Sequence, residues 1–205
     1  MNPFEGYRLT SPFGPRMHPV YKVPKFHRGV DLVVSPVNGP LYAFVPGEVI
    51  HACEGRTGTG FGNMGFVAAI KDKYGFVHCY AHMSMIVVKV GQHVDRGQMI
   101  GRQGSTGVST GPHLHYEIRK KCSPSYGWTE TESGVVEPTQ YLIDYFAKEA
   151  QKGDNKVDKV DANKLIDTYL KPAWGAAKAK GDNAGMTEAN RLANELRKAS
   201  GQPLQ

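Results

Sequence analysis

The sequence predicts a mostly β protein, an antiparallel sheet followed by a C-terminal α-helical appendage. Up to about residue 118, short apolar runs are separated by Gly, Pro and Asn turn signals. No helical period lies between those runs, which argues for antiparallel pairing and against βαβ units. After Pro138 the apolar residues change to helical spacing. The expected division is a sheet domain over residues 1–146 and a helical appendage over 147–205.

Taken in order, Leu41–Val45, Glu48–Ala52, Phe66–Ile70, Phe76–Ala81 and Val87–Val90 read as strands. Gly91 to Gly101 reads as a turn and a short strand, followed by a second glycine-rich turn at Gly104-Ser-Thr-Gly107. Residues 119–136 form a long polar loop carrying Tyr126 and Trp128, whose rings either stack on a ligand at a groove rim or pack the loop onto the body. Tyr141, Leu142, Tyr145 and Phe146 recur at helical spacing behind Pro138, which suits a first helical turn. Gln151–Asn155 reads as a hinge. Val157, Val160, Leu165, Ile166, Tyr169 and Leu170 then predict one helix ending before Pro172. A second helix is expected to start at Thr187 as N-cap and to bury Leu192 and Leu196.

The 205 residues carry a net charge of +6 with pI ≈ 9.2, spread evenly as +3 on each side of residue 146. Such diffuse positive charge favours encounter with anionic polymers. No Lys/Arg run with interleaved aromatics marks a nucleic-acid groove, so nucleic acid is not an expected partner. No stretch is apolar and long enough to cross a bilayer. The N-terminus, Met1-Asn-Pro-Phe-Glu-Gly-Tyr, lacks the basic and apolar regions of a signal peptide. Cys53, Cys79 and Cys122 are odd in number and follow no zinc-ribbon spacing, so they are read as free thiols.

The chemistry lies in three fragments: His27-Arg-Gly-Val-Asp31, Tyr80-Ala-His82-Met, and Gly111-Pro-His113-Leu-His115-Tyr-Glu117. Together they offer two imidazoles and a carboxylate for a metal, with two imidazoles left for proton transfer. A zinc with three protein ligands and an open fourth position makes water nucleophilic near neutral pH. His27 and Asp31 share a face whether that segment is extended or helical, and Gly29 with Val30 favours a turn into a strand. In a strand, His113, His115 and Glu117 point one way while Leu114, Tyr116 and Ile118 pack the core. By the same alternation Val77, Cys79 and Ala81 suit the core face, and His78, Tyr80 and His82 share the other. His78 then belongs to the groove or surface.

These fragments, with Ser11-Pro-Phe-Gly-Pro-Arg16 upstream, the run Gly104 to Glu117, and Val136-Glu-Pro-Thr-Gln-Tyr-Leu142 at the close, resemble the lysostaphin-type (LytM-like) zinc endopeptidases that cut peptidoglycan. The resemblance runs from about Arg8 to Leu142 and rests on several motifs in the right order. It implies a duplicated-hybrid-motif groove of antiparallel strands. It further implies one Zn2+ on His27, Asp31 and His115, catalytic roles for His82 and His113, and a groove tyrosine at Tyr21. Trp128 joins Tyr21 as a candidate for contact with peptidoglycan, and Glu117 either orients a neighbour or forms a surface salt bridge.

The bond cut is expected to be the D-alanyl–diaminopimelate cross-link, because the glycyl–glycine branch often carries a wall-targeting β-barrel domain and this chain ends in helices. A wall-binding module with a structural zinc is the alternative, and would close the fourth position with protein. A lipoyl-type carrier is disfavoured because the Val90–Gly101 turns lack a Met-Lys-Met-like tip. A serine hydrolase is disfavoured because no Gly-x-Ser-x-Gly elbow exists. Action at the bacterial cell wall without a signal peptide implies a virion-associated protein, release by lysis, or a domain of a longer precursor. The helical tail would then dock virion or wall, or brace the domain.

Overall fold

The glycine- and proline-punctuated runs become short strands because each is too short and too β-branched to sustain a helix. In the computed structural model, residues 2–18, 21–129, 131–153 and 159–204 are described. Their strands are β1 (Arg8–Ser11), β2 (Gly14–Met17), β3 (Pro24–His27), β4 (Gly29–Val33), β5 (Pro40–Tyr42), β6 (Gly47–Glu54), β7 (Phe66–Lys71), β8 (Val77–Met83), β9 (Met85–Ile86), β10 (His93–Val94), β11 (Met99–Arg102), β12 (Leu114–Arg119) and β13 (Val135–Val136). The pairings are antiparallel. The main sheet runs β1-β4-β12-β8-β7-β6-β10, with β13 added to β12. A three-stranded sheet, β5-β11-β9, and a β2-β3 ribbon complete the set. This is the mostly antiparallel fold that the sequence implied.

Register decides which residues share a face. Tyr116 lies opposite Val30 on one side and Tyr80 on the other, and Tyr80 lies opposite Ala68. That face carries an aromatic cluster of Phe4, Phe44, Tyr80 and Tyr116. The opposite face carries Asp31, His115 and Ala81 in one row, and Gly29, Glu117 and Cys79 in the next. Gly29 is required there: a Cβ would stand 2.2 Å from the Tyr116 carbonyl oxygen, so only glycine lets β4 lie this close to β12.

Strand β8 is buried throughout its length, so His78 is no surface residue. It is fully buried on the aromatic face, with Nδ1 2.6 Å from Tyr116 Oη and Nε2 3.2 Å from Asp72 Oδ2. Tyr141 Oη also donates to Asp72 Oδ2. Burial lowers the His78 pKa below 6.5 despite its contact with Asp72. The unfolded chain therefore holds an extra proton once the pH falls below about 6.5, and stability is lost on acidification through that window. His27, His51 and His82 shift the same way. In chelator-treated protein, thermal stability is expected to drop from pH 6.5 to pH 5 by about 1.4 kcal/mol per pH unit for each extra proton. A flat melting profile across that window would contradict the assignment.

The run Val87–Val90 forms no strand. Only Val88 is buried, and the chain turns between Lys89 and Gln92 with Gly91 at φ 83°. The three cysteines are free, with Cys79 buried and Cys53 and Cys122 exposed.

Two compact units result, Met1–Asp144 and Tyr145–Gln205. Helix α1 (Pro138–Gly153) has Pro138 at its first position, and the Glu137 carboxylate accepts from the N–H groups of Thr139 and Gln140. The hinge expected at Gln151–Asn155 is helical as far as Gly153; Asp154 and Asn155, like Val157, lie outside the described residues. The helix expected to end before Pro172 does not end there. Helix α2 (Lys159–Leu165) passes through a π-helical turn, Ile166–Leu170, directly into α3 (Lys171–Ala179). Pro172 sits in the first turn of α3, and the π turn immediately before it accommodates the missing N–H. The last helix, α4 (Asn183–Ala199), starts earlier than expected because Asp182, not Thr187, caps it by accepting from Gly185 N–H at 2.9 Å. Thr187 instead donates to the Asn183 carbonyl. The residues of α4 that are buried are Ala189 and Ala193; Leu192 is 38% exposed and Leu196 half-buried. Among the described residues, no helix is long and apolar enough to cross a membrane.

Candidate metal centre and groove

Strands β3, β4 and β12 build the centre. His27 ends β3 and, after Arg28, Asp31 occupies the middle of β4 directly opposite His115 on β12. His27 Nε2 lies 3.1 Å from Asp31 Oδ1 and 3.1 Å from His115 Nδ1. His115 Nδ1 lies 3.0 Å from Asp31 Oδ1. The three residues are the group of possible metal ligands found among the described residues.

The segment Ser11–Arg16 orients this trio, a role that the sequence alone did not disclose. His27 Nδ1 faces the Pro12 carbonyl at 2.7 Å. A carbonyl only accepts, so Nδ1 donates to it, and in the neutral ring Nε2 is the nitrogen whose lone pair a cation would take. Arg16 Nη1 donates to Asp31 Oδ2 at 2.9 Å and to Ser11 Oγ at 2.6 Å, leaving Oδ1 free to face the histidines. Burial alone would raise the Asp31 pKa, but hydrogen bonds to His115 and His27 outweigh it and hold the carboxyl well below its usual range. Burial would lower His115, yet contacts with Asp31 and Glu117 raise it to about 9.

His82 reaches the same groove by breaking a rule. Strand alternation places it beside Tyr80, on the face away from His115. The backbone at His82 takes φ 60°, and the β7–β8 register slips between Phe66 and Ala68. This bulge turns the side chain over. His82 N–H donates to the Met64 carbonyl, and Nδ1 donates to the Thr106 carbonyl at 2.7 Å, which leaves Nε2 unprotonated. Burial, with the charge of His115 next in importance, lowers the His82 pKa to about 4. His113 immediately precedes β12, and its Nδ1 donates to the Gly111 carbonyl at 2.8 Å. Its Nε2 stands 3.6 Å from Asp31 Oδ1, and the His82 and His113 rings are 4.8 Å apart.

These groups line a cavity of about 440 Å³ together with Tyr21, Lys25 and Trp128. Tyr21 is 53% exposed and stacks on His18 at 4.5 Å. Trp128 is 44% exposed, with the Arg28 guanidinium 4.5 Å from its ring. The two aromatics of the 119–136 loop thus divide. Trp128 lines the groove, whereas Tyr126 packs on Phe61 at 4.7 Å and His51 at 5.2 Å.

Residues 25–126, which span the metal trio and both further histidines, match the model of peptidase family M23. The chain belongs to peptidase family M23. The chain is 38% identical over 151 residues to the DD-carboxypeptidase/endopeptidase Mpg of Neisseria meningitidis, covering 72% of this chain and 32% of that protein. It is 41% identical over 119 residues to the peptidoglycan DD-endopeptidase ShyA of Vibrio cholerae, covering 58% of this chain and 26% of that protein. The chain therefore spans about a third or less of the length of these curated relatives. Among solved structures, the catalytic domain of lysostaphin from Staphylococcus simulans superposes with a TM-score of 0.55 at 28% identity, covering 67% of this chain and 92% of that one.

A divalent cation fits the M23 trio on chemical grounds. Two imidazole nitrogens and a carboxylate oxygen converge within 3.1 Å of one another, and the Pro12 carbonyl fixes the His27 tautomer that a ligand requires. Nitrogen and carboxylate donors of this kind suit zinc at about 2.0–2.2 Å per bond.

Proposed function

We propose that the M23 domain is a zinc-dependent peptidoglycan endopeptidase that hydrolyses an amide in the peptide cross-links, at the D-alanyl–diaminopimelate bond. The observation that carries this reading is the convergence of His27 Nε2, Asp31 Oδ1 and His115 Nδ1 in the wall of a groove that His82 and His113 also face. Among the described residues no fourth His, Cys, Asp or Glu side chain joins the trio. This favours an open catalytic site over a closed structural one.

When bound, the cation supplies Lewis acidity, which makes water nucleophilic near neutral pH and polarises the scissile carbonyl. The chain's own residues move the protons. His82, with its pKa near 4, is neutral at pH 7, and its Nε2 faces the groove bare. His113 turns a second Nε2 into the groove, 3.6 Å from Asp31 Oδ1. Between them, one imidazole accepts a proton from the attacking water, and the other, as imidazolium, stabilises the developing oxyanion or protonates the leaving amine. Tyr21 and Trp128 supply flat faces for the peptide. All eight histidines precede residue 116, which leaves the helical unit outside the chemistry.

Charge on the groove wall favours the diaminopimelate link over a glycine bridge. A diaminopimelate residue carries a carboxylate next to the scissile nitrogen, and glycine bridges carry none. Arg16 is committed to Asp31, so exposed Lys25 and the Arg28 guanidinium, which also lines the cavity, are cations open to that carboxylate. Lys25→Ala is expected to raise KM for a diaminopimelate-linked dimer about 2- to 5-fold, the scale of an exposed ion pair, with kcat nearly unchanged. Steady-state assays on defined muropeptides check this.

Digestion of defined peptidoglycans with and without chelator, with mass spectrometry of the new termini, tests the function itself. Chelator-sensitive release of D-alanine carboxyl and diaminopimelate amine ends is expected. Cleavage confined to glycine-bridged wall would reassign the bond, and cleavage indifferent to chelator would remove the metal reading.

A further inference from the structure

Glu117 and Arg119 form an ion pair in the sheet interior, with Glu117 only 2% exposed and Arg119 fully buried. Burying both charges costs more desolvation than their attraction usually returns, so such a pair is poorly explained by stability alone. Its position offers another explanation. Glu117 lies two residues after His115 on the same face of β12. Its Oε2 is 3.5 Å from His115 Nε2, the ring nitrogen turned away from the metal trio. Its Oε1 accepts from Arg119 Nε at 2.5 Å.

The guanidinium is itself fixed from two loops. Arg119 Nη2 donates to the Gly60 carbonyl at 2.8 Å, Nη1 reaches the Tyr126 carbonyl at 3.4 Å, and the Phe61 ring lies 4.6 Å from Cζ. A guanidinium held this way presents a fixed fork to the carboxylate. Arg28 Nε stands a further 3.8 Å from Oε1, which leaves Oε2 to face His115 Nε2.

Resting on the zinc trio proposed above, we propose that Glu117 is a positioning residue that holds His115 in the Nε2–H tautomer, with Arg119 fixing the carboxylate that does so. With Nδ1 as the atom turned to His27 and Asp31 and taken by a cation, the ring's remaining proton sits on Nε2, where the acceptor-only Glu117 carboxylate faces it at 3.5 Å. Carboxylate–histidine–metal arrangements of this type fix ring orientation and raise ligand basicity. The effect depends on the acceptor character of Glu117, not merely on its bulk.

Glu117→Gln separates the two. The glutamine carbonyl can still accept from Arg119, which turns the amide NH2 toward His115 Nε2. That donor favours a lone pair on Nε2 and moves the proton to Nδ1, where it competes directly with the metal. Zinc affinity, measured by competition with a chelating dye at fixed pH, is expected to fall about 10- to 100-fold. Neutralising Glu117 leaves the buried Arg119 charge uncompensated, so the metal-free melting temperature is expected to fall, and zinc affinity is compared at a temperature where the metal-free variant is still folded. Imidazole 15N–1H spectra of the zinc-loaded wild type are expected to show the His115 proton on Nε2, protected from exchange.

Wild-type zinc affinity in Glu117→Gln would overturn the proposal. If that variant fails to fold, the wild-type spectrum decides alone, and a proton absent from Nε2 overturns it equally. A wild type that binds no zinc is a different result: it removes the metal trio on which both readings rest.

Discussion

Alanine in place of His115 is expected to abolish metal binding and hydrolysis together. The substitution removes Nδ1, one corner of a triangle whose sides are 3.0–3.1 Å. It also removes the neighbour of Glu117, leaving that buried carboxylate to Arg119 and Arg28. His27 and Asp31 would remain as a two-donor site, and two-donor sites compete poorly with water for a divalent ion. Loss of affinity should exceed the ~100-fold expected for an outer-sphere contact. Competition titration and release of soluble muropeptides from purified wall measure the two effects in parallel. Retained binding with lost activity would move His115 from metal ligation to proton transfer.

His113→Ala should behave in the opposite sense. The side chain makes its contact of 2.8 Å with the local Gly111 carbonyl and stands 3.6 Å from Asp31, so its removal opens no core cavity. Zinc content and melting temperature are expected to match wild type. Turnover should fall by about 10²- to 10⁴-fold, the range for a lost general acid or base. The loss should appear in kcat with KM little changed, because Tyr21, Lys25 and Trp128 remain in the groove. A wild-type rate against purified wall would show that His113 carries no proton. The pair of variants thus separates holding the ion from using it.

The fold class was legible because its signals are local. Glycine, proline and asparagine mark turns, and the period of apolar residues changes after Pro138. The pairing of His115 with Asp31 follows from regular alternation on β12 and β4, which holds wherever a strand has no bulge. His82 shows where that reasoning stops. Period-two logic places it with Tyr80, and the register slip between Phe66 and Ala68 reverses it. A bulge requires no particular residue type, so the text carries no mark of it. His78 was misplaced for a related reason: alternation assigns a face but does not say that β8 is covered on both.

Longer-range partners were equally hidden. The motif Ser11–Arg16 was visible, but its work, a carbonyl for His27 and a guanidinium for Asp31, depends on contacts 15 residues away. In the helical unit, side-chain hydrogen bonding favoured Asp182 over Thr187 as the cap, and alanines rather than leucines face inward on α4. The continuous passage through Pro172 needed the π turn upstream, which has no composition signal.

The left-handed backbone at His82 has a consequence for how the molecule tolerates change. Glycine takes such torsion angles freely, whereas an imidazole-bearing residue gives up of the order of 1 kcal/mol to remain there. The chain thus holds a tension at one position: substitution by glycine would ease the backbone and strip the groove of one imidazole in the same stroke.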